Sequence, residues 1–259
     1  MNALSTLHTM KQRGEKIAML TCYDASFAAM METAGVDVLL VGDMLGVVIQ
    51  GASGTQKVTM QDMLYHTRCV AAGSKSSPIV ADMPYASDTS PELALANAKQ
   101  LIAAGAHMVK LEGGKPEIVR HLVANNIPVC GHLGFTPQSI SSSGSYPVQG
   151  KDAAGAQQIL EDALAMQQAG MTLLVLSMLP ANVAADITRN LNIPTIGIGA
   201  GKDCDGQVLV LYDMLGISPG KITKYSRNFL EDNDSIKNAL IAYGAAVKAG
   251  SFPDTEHSF

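Results

Sequence analysis

The chain has 259 residues, a length that one α/β barrel can fill. It carries 18 Lys and Arg against 23 Asp and Glu, so its formal net charge is −5, which argues against nucleic acid or an anionic membrane as a partner. Hydrophobic residues make up 47% and charged residues 16%, a composition that excludes a disordered chain.

The sequence also lacks the signals of export and of membrane insertion. Residues 1–16 are polar and contain no apolar signal-peptide core. No stretch reaches the ~18 uninterrupted apolar residues that a membrane span needs. The four cysteines lie far apart without a C-x-x-C pair, which favours reduced thiols over zinc ligands or disulfides: Cys22, Cys69, Cys130 and Cys204. We therefore expect a cytoplasmic protein.

Eight short apolar runs alternate with longer helical patterns. Each run is nearly continuous in apolar residues, as expected of parallel strands that are covered on both faces. The predicted strands are Lys16–Thr21, Val38–Val41, Pro78–Ala81, His107–Leu111, Pro128–Gly131, Leu173–Leu176, Pro194–Ile198 and Val208–Leu211. Amphipathic helices are predicted at Pro91–Ala104 and Ala153–Ala169. Residues 1–15 are expected to form a helix outside the barrel, and residues 221–259 the last helix and a tail.

The connectors between these elements repeat in kind. Glycine ends the helix before strands two, four and six, and proline opens strands three, five and seven: Gly35, Gly105 and Gly170, then Pro78, Pro128 and Pro194. This alternation favours a two-strand unit repeated around a closed sheet, although coincidence among common connectors stays an alternative. Eight strands with intervening helices predict a single (β/α)₈ TIM barrel domain over residues 1–259.

Ionisable and polar residues stand where the predicted strands end. In a barrel of this kind the carboxyl ends of the strands carry the functional site. Asp43, Asp82 and Glu112 follow the neighbouring strands two, three and four, so their carboxylates are expected to converge on one rim. Oxygen ligands that leave open positions suit Mg²⁺. The full set of strand-end residues is Asp24, Asp43, Asp82, Lys110, Glu112, His132, Ser177, Gly199 and Asp213.

Each of these residues also has a structural interpretation. A strand-end aspartate is often the N-cap of the following helix, and Asp24 and Asp213 are assigned that role. Lys110 and Glu112 are alternate residues of one strand, so they point the same way and could simply form an ion pair. His132 could be a hydrogen-bonded core histidine. The set of Asp43, Asp82, Lys110 and Glu112 is more persuasive jointly than any member alone.

Two loop segments allow more than one interpretation. Residues 197–201, Gly-Ile-Gly-Ala-Gly, follow strand seven, where many barrels bind phosphate, but they do not match a dinucleotide fingerprint, and a tight loop is favoured. Asp203 and Asp205 are too few ligands for a calcium loop. The serine-rich stretch Ser141–Ser145 is interpreted as a loop over the site, with a lid as one option.

A family resemblance emerges from segments spread along nearly the whole chain. In order and at compatible spacing, these segments resemble the ketopantoate hydroxymethyltransferase family: LLVGDMLG, VADMPY, AGAHMVKLEGG, IPVCGHLGFTPQS, IPTIGIGAG, DGQVLV and EHSF. The resemblance implies a Mg²⁺-dependent (β/α)₈ barrel related to phosphoenolpyruvate- and pyruvate-using enzymes. It also implies a cytoplasmic homo-oligomer, which is a decamer in bacterial members.

The implied reaction belongs to pantothenate biosynthesis. A one-carbon unit passes from 5,10-methylenetetrahydrofolate to 3-methyl-2-oxobutanoate and gives 2-dehydropantoate. The resemblance places the metal-binding carboxylates at Asp43, Asp82 and Glu112. It places the substrate contacts at Asp43, Met44, Asp82 and Lys110, where the lysine offsets the charge of the oxo acid. His132 matches the family histidine and is expected to orient a ligand.

The sequence departs from the family at two positions of the implied site. Met44 stands where the family motif V-G-D-S-L-G has serine. Ser177, in LSMLP, stands where the family motif L-E-C-V-P has the glutamate that takes the C3 proton. A serine hydroxyl is a poor base without an activating neighbour, and a positioned base contributes ~10²–10⁴-fold to a rate. Residues 54–58, GTQKV, and 144–150, GSYPVQG, replace the usual S-T-L-P-V and G-G-Y-x-V-Q-G.

These departures leave three functions open. The leading prediction is the hydroxymethyltransferase with impaired activity, because Ser177 occupies the catalytic position of the missing glutamate. A Mg²⁺-dependent 2-oxo-acid lyase or aldolase on the same scaffold is the second. A catalytically silent binding or scaffold protein is the third, although the retained carboxylates and Lys110 argue against it. No nucleic acid or membrane partner is expected.

Overall fold

The computed structural model describes residues 3–139, 147–219 and 223–259. Within them, eight parallel strands close into a barrel in sequential order, with β8 paired to β1. The predicted (β/α)₈ barrel is therefore confirmed. The strands are β1 Ile17–Thr21, β2 Val38–Val41, β3 Ile79–Asp82, β4 Met108–Glu112, β5 Val129–Gly134, β6 Leu173–Ser177, β7 Thr195–Ile198 and β8 Gly206–Leu209.

One helix precedes the strands, others connect them on the outside of the barrel, and two follow β8. They are α1 Ala3–Arg13, α2 Ala25–Thr33, α3 Leu45–Val48, α4 Met60–Gly73, α5 Pro91–Ala103, α6 Pro116–Ala124, α7 Ala153–Gln168, α8 Ala181–Asn190, α9 Leu211–Met214 and α10 Ile236–Lys248. Short 3₁₀ turns occupy Thr55–Lys57 and Pro137–Ser139. None of the helices in the described ranges has the length and apolar character of a membrane span.

The predicted strands match the observed ones except at their ends. The largest errors are at β5, which ends at Gly134 rather than at Gly131, and at β8, which begins at Gly206 and ends at Leu209 rather than running from Val208 to Leu211. Glycine is unfavourable inside strands, but a Cβ on Gly206 would lie 2.3 Å from the carbonyl oxygen of Ile17. Glycine at this position therefore allows β8 to approach β1 and close the barrel.

The predicted glycine connectors are confirmed by their backbone geometry. Gly35, Gly105 and Gly170 each follow a helix with φ of +82°, +111° and +102°, the left-handed region that favours glycine. Each glycine turns the chain from a helix into the next strand. These glycines set the starts of β2, β4 and β6.

The apolar core has two layers. The barrel interior is filled by side chains from the strands and is closed at its amino-terminal end by Leu7 and Met10 of α1. The larger layer lies between the strands and the surrounding helices. At the barrel seam, Tyr243 of α10 is fully buried, and its hydroxyl lies 2.9 Å from the Met19 carbonyl and 3.0 Å from that of Gln207. The last helix is thereby fixed across the pair β1–β8.

Candidate active site

A cavity opens at the carboxyl ends of the strands, and the residues predicted for the site all line it. They are Asp43, Met44, Asp82, Lys110, Glu112, His132 and Ser177. The cavity volume is about 80 Å³. Pockets for drug-sized ligands are ~300–1,000 Å³, so this cavity suits only a small molecule.

Lys110 and Asp82 form a buried ion pair on adjacent strands. The pairing of β3 with β4 sets these two residues side by side, and Lys110 Nζ lies 2.9 Å from Asp82 Oδ1. The expected alternative of an ion pair between Lys110 and Glu112 is therefore wrong. Burial lowers the pKa of Lys110, but Asp82, Glu112 and Asp43 outweigh it and raise that pKa well above its usual range. The lysine is positively charged at neutral pH.

Asp43 is linked to Asp82 through its backbone. Its backbone N–H donates a hydrogen bond of 2.9 Å to Asp82 Oδ2, which leaves the Asp43 side chain directed at the cavity. Burial raises the pKa of Asp43 well above its usual range, and the negative charges of Asp82 and Glu112 raise it further. The site thus holds more negative charge than its own lysine neutralises.

Glu112 and His132 form the other side of the cavity. Glu112 Oε1 lies 3.4 Å from His132 Nδ1, which is itself 3.2 Å from Lys110 Nζ. Burial raises the pKa of Glu112, but the contact with His132 and the charge of Lys110 lower it below its usual value. Burial and Lys110 lower the pKa of His132, so the imidazole is neutral at pH 7. His132 is buried and hydrogen-bonded through Nδ1, as the structural interpretation expects, but its Nε2 has no hydrogen-bond partner among the described residues.

The donor set has the chemistry of a Mg²⁺ site. In the parts of the chain that the structure describes, no three His, Cys, Asp or Glu side chains are already close enough to hold a metal by themselves. Mg²⁺ needs only one or two carboxylates, because it keeps several waters and takes further ligands from a substrate. Asp43, Asp82 and Glu112 are carboxylates on one cavity, and Glu112 Oε1 is buried without a hydrogen bond. These residues fit the ion, which would offset their excess charge.

Ser177 and Met44 line the same cavity from opposite sides of the barrel. Ser177 ends β6 and is 5% exposed, and its carbonyl accepts a hydrogen bond of 2.8 Å from the Phe135 N–H. The next residue, Met178, has φ of +52°, an uncommon conformation for a side chain other than glycine. Met44 precedes α3 and makes no side-chain cap to that helix.

Other strand-end residues have structural roles outside the cavity. Asp24 is the N-cap of α2, as predicted, and accepts a 2.9 Å hydrogen bond from the Phe27 N–H. The N-cap assignment of Asp213 is wrong, because Val210 precedes α9 and Asp213 lies inside that helix with its carboxylate bonded to Ser218. The error follows from placing the end of β8 two residues too late.

The two loop interpretations differ in outcome. Gly199 and Gly201 adopt φ of +58° and +76°, as a tight loop requires, and they do not line the cavity. Asp205 accepts hydrogen bonds from Lys11 and Thr195, so its role is structural. The segment Ser141–Ser145, interpreted as a possible lid, lies outside the described residues.

Sequence reasoning assigned no role to Gln138. This residue is 8% exposed and follows β5 in the 3₁₀ turn Pro137–Ser139. Its side-chain Nε2 donates to Asp43 Oδ2 at 2.7 Å, and its backbone N–H donates to Glu112 Oε2 at 3.0 Å. The search for charges at strand ends could not find a neutral amide in a turn, although the segment GFTPQS was part of the family resemblance. Aromatic residues on the cavity were missed for the same reason: Phe135 and Tyr225.

Solved structures of similar fold share little sequence with this chain. A phosphonopyruvate hydrolase in complex with oxalate and Mg²⁺ aligns with a TM-score of 0.63 at 13% identity over 81% of both chains. A 2,3-dimethylmalate lyase of the PEP mutase/isocitrate lyase superfamily aligns with a TM-score of 0.59 at 15% identity over 83% of both chains. At these identities the likeness shows a common barrel fold.

Sequence comparison identifies much closer relatives. A 3-methyl-2-oxobutanoate hydroxymethyltransferase from Methylobacillus flagellatus is 57% identical over 259 residues, which cover 99% of each chain. One from Azoarcus sp. is 56% identical over 99% of this chain and 96% of its own. Residues 2–255 match the family model of ketopantoate hydroxymethyltransferase. The chain therefore belongs to the ketopantoate hydroxymethyltransferase family.

Proposed function

We propose that this protein transfers a hydroxymethyl group from 5,10-methylenetetrahydrofolate to 3-methyl-2-oxobutanoate, gives 2-dehydropantoate for pantothenate biosynthesis, and turns over slowly. The observation that carries the proposal is the convergence of Asp43, Asp82, Glu112 and Lys110 on one small cavity in a chain of this family. Ser177 at the end of β6 supports the slow rate, because no carboxylate extends from that position.

The cavity is suited to a small branched 2-oxo acid. Lys110 supplies a fixed positive charge for the acid, and it is held in place by Asp82 at 2.9 Å. Apolar side chains form much of the remaining wall and suit an isopropyl group: Leu40, Val175, Ile198, Val208, Leu209 and Val210. The cavity volume of about 80 Å³ suits the small oxo acid and not a folate, which must approach from outside the cavity.

Three carboxylates are proposed to hold Mg²⁺. Asp43 and Asp82 would bind it directly, and Glu112 directly or through water. When bound, Mg²⁺ polarises the ketone of the oxo acid and makes the C3 proton more acidic. Mg²⁺ is also the ion present in the phosphonopyruvate hydrolase of similar fold, which makes it the first ion to test.

The proposed slow rate depends on Ser177. Its hydroxyl cannot accept the C3 proton as a carboxylate would, so proton removal must pass through water or another neighbouring group. The same residue favours a second candidate, a Mg²⁺-dependent lyase or aldolase that acts on a different 2-oxo acid with the same metal and lysine. A catalytically silent protein is disfavoured by the retention of the buried charges, which are costly to keep without a ligand.

Product formation tests the proposal. Purified protein is incubated with Mg²⁺, methylenetetrahydrofolate and 3-methyl-2-oxobutanoate, and 2-dehydropantoate is measured by mass spectrometry. Slow product formation that stops when EDTA removes Mg²⁺ is expected. Binding of the oxo acid without any product would favour the lyase or aldolase, and no binding would overturn the family substrate. The homo-oligomer and the cytoplasmic location stay predictions from the resemblance.

A further inference from the structure

Gln138 joins the ends of three strands that carry the site, two through its side-chain amide and one through its backbone N–H. Gln138 Nε2 lies 2.7 Å from Asp43 Oδ2 and 2.9 Å from the carbonyl oxygen of Met83, directly after β3. The backbone N–H of Gln138 donates to Glu112 Oε2 at the end of β4. One buried residue therefore contacts both carboxylates that the lysine does not pair with directly.

The orientation of this amide follows from its two neighbours. A carboxylate and a carbonyl can only accept hydrogen bonds, so both need the NH₂ end of the Gln138 side chain. The opposite orientation would place the amide oxygen against two acceptors. With both Nε2 hydrogens used, the side chain cannot rotate without breaking two bonds, and Asp43 Oδ2 is fixed in one position.

Gln138 occupies only one oxygen of each carboxylate. It takes Oδ2 of Asp43 and Oε2 of Glu112, and Glu112 Oε1 is left without a hydrogen bond. A donor that binds one oxygen of a metal-binding carboxylate orients the group so that its other oxygen faces the metal. We propose that Gln138 is a positioning residue that presents Asp43 and Glu112 to the ion and to the oxo acid; this inference rests on the proposed function.

The position of Gln138 is itself fixed by a residue that departs from the family pattern. Gln56 Nε2 donates a hydrogen bond of 3.1 Å to the backbone carbonyl of Gln138. Gln56 lies in GTQKV, where the family has S-T-L-P-V with leucine at this position. In this chain a polar contact therefore links the turn after α3 to the turn after β5.

Calorimetric titration of Mg²⁺, with and without 3-methyl-2-oxobutanoate, tests the role. Gln138→Met keeps the length of the side chain and removes both donated hydrogen bonds. We expect its Mg²⁺ affinity in the presence of the oxo acid to fall 10- to 100-fold, the usual effect of losing such a donor. Gln138→Asn keeps an amide that is one methylene too short to reach both acceptors, and it serves as the second variant in case the methionine variant does not fold.

Gln207→Met is the matched control. Gln207 is 4% exposed, and its Nε2 donates a 3.0 Å hydrogen bond to the Gly201 carbonyl, away from the cavity. This variant is expected to lower the unfolding midpoint and to leave the Mg²⁺ affinity within twofold. Wild-type Mg²⁺ affinity in a folded Gln138→Met or Gln138→Asn variant would overturn the positioning role. If the wild-type protein binds Mg²⁺ but not the oxo acid, only the proposed substrate is overturned. If it binds neither Mg²⁺ nor the oxo acid, the proposed substrate and the positioning role are both overturned.

Discussion

Lys110 Nζ and Asp82 Oδ1 are 2.9 Å apart, with each side chain 4% exposed. The two residues are direct partners in the register of β3 and β4. An ion pair in this environment costs desolvation, and removing one partner leaves the other charge buried. The pair therefore ties the stability of the barrel rim to the charge that is proposed to bind the oxo acid.

Lys110→Met is expected to lower the free energy of unfolding by about 3–5 kcal/mol, because it leaves Asp82 unpaired in the interior. Urea denaturation measures the loss. Lys248→Met is the control. The Lys248 side chain is 45% exposed, so its ion pair with Asp37 should contribute less than about 1 kcal/mol to the free energy of unfolding. Equal losses in the two variants would contradict the importance of burial at Lys110.

Asp43→Asn is expected to stabilise the metal-free protein at pH 7. Burial and the charges of Asp82 and Glu112 raise the pKa of Asp43 in the folded state above the 3.8 of an unperturbed aspartate. The ionised form is thus disfavoured by folding, and the cost grows as the pH rises above 3.8. Thermal melts from pH 3 to 8 should show a gain for the variant at pH 7 that shrinks at low pH.

If Asp43 is a ligand, Mg²⁺ should make the wild-type protein more stable than the Asp43→Asn variant. Wild-type protein is expected to gain stability on addition of Mg²⁺, and Asp43→Asn to gain little. Asp152→Asn is a control, because asparagine is as good an N-cap for α7 as aspartate. An equal gain from Mg²⁺ in wild-type protein and in Asp43→Asn would exclude Asp43 as a ligand.

Glu32→Gln is expected to destabilise the barrel at neutral pH by about 1–2 kcal/mol, through loss of charge-assisted hydrogen bonds. The Glu32 carboxylate accepts hydrogen bonds from the backbone N–H groups of Lys75 and Ser76 at 2.8 and 3.0 Å, between α4 and β3. Burial raises the pKa of Glu32, but these bonds, with two more from the Ser74 hydroxyl and the Ser77 N–H, lower it to about 2.

The pH dependence identifies the cause. A lowered carboxyl pKa contributes stability above the unfolded-state value of 4.5, and this contribution is lost as the pH falls towards 2. The difference in unfolding free energy between wild type and Glu32→Gln should therefore be constant from pH 6 to 8 and shrink between pH 4.5 and 2. A difference that does not change with pH would contradict the assignment to an ionised carboxylate.

The double variant Ser177→Glu with Met44→Ser is expected to form 2-dehydropantoate at least ~10²-fold faster than the wild-type chain. The glutamate supplies a base at the end of β6, and the serine makes room for it on the same cavity. Ser177→Gln with Met44→Ser has the same size without the base and should show no gain. Equal rates for the glutamate and glutamine versions would exclude Ser177 as the position of the missing base.

The barrel could be predicted because its local signals agree. Apolar runs of strand length, glycines after helices and prolines before strands all indicate the same repeated unit, and the site follows from the strand ends. The strand β8 was placed two residues late, since Gly206 has an unfavourable intrinsic preference for strands that close packing against Ile17 overrides. Asp213 was misassigned as a consequence.

The contacts within the site depend on information that is not local. The partner of Lys110 is set by the register of β3 against β4, which places it beside Asp82 rather than Glu112. Gln138 lies in a turn that packs over the ends of two strands, where it contacts Asp43 and Glu112. Its amide is uncharged, so a search for charged residues at strand ends does not find it. Residue type and spacing therefore predict which groups meet in the cavity, but not which atoms they bond.

Exchange of the C3 proton of 3-methyl-2-oxobutanoate in D₂O, followed by proton NMR without folate, tests the central claim most directly. It measures whether this cavity binds and activates a 2-oxo acid, and it does so independently of the later one-carbon transfer. The account predicts exchange that requires Mg²⁺, is lost in Asp43→Asn and is at least ~10²-fold faster in Ser177→Glu with Met44→Ser. Exchange that persists in EDTA and in Asp43→Asn, or that is absent from both the wild-type chain and the double variant, would contradict it.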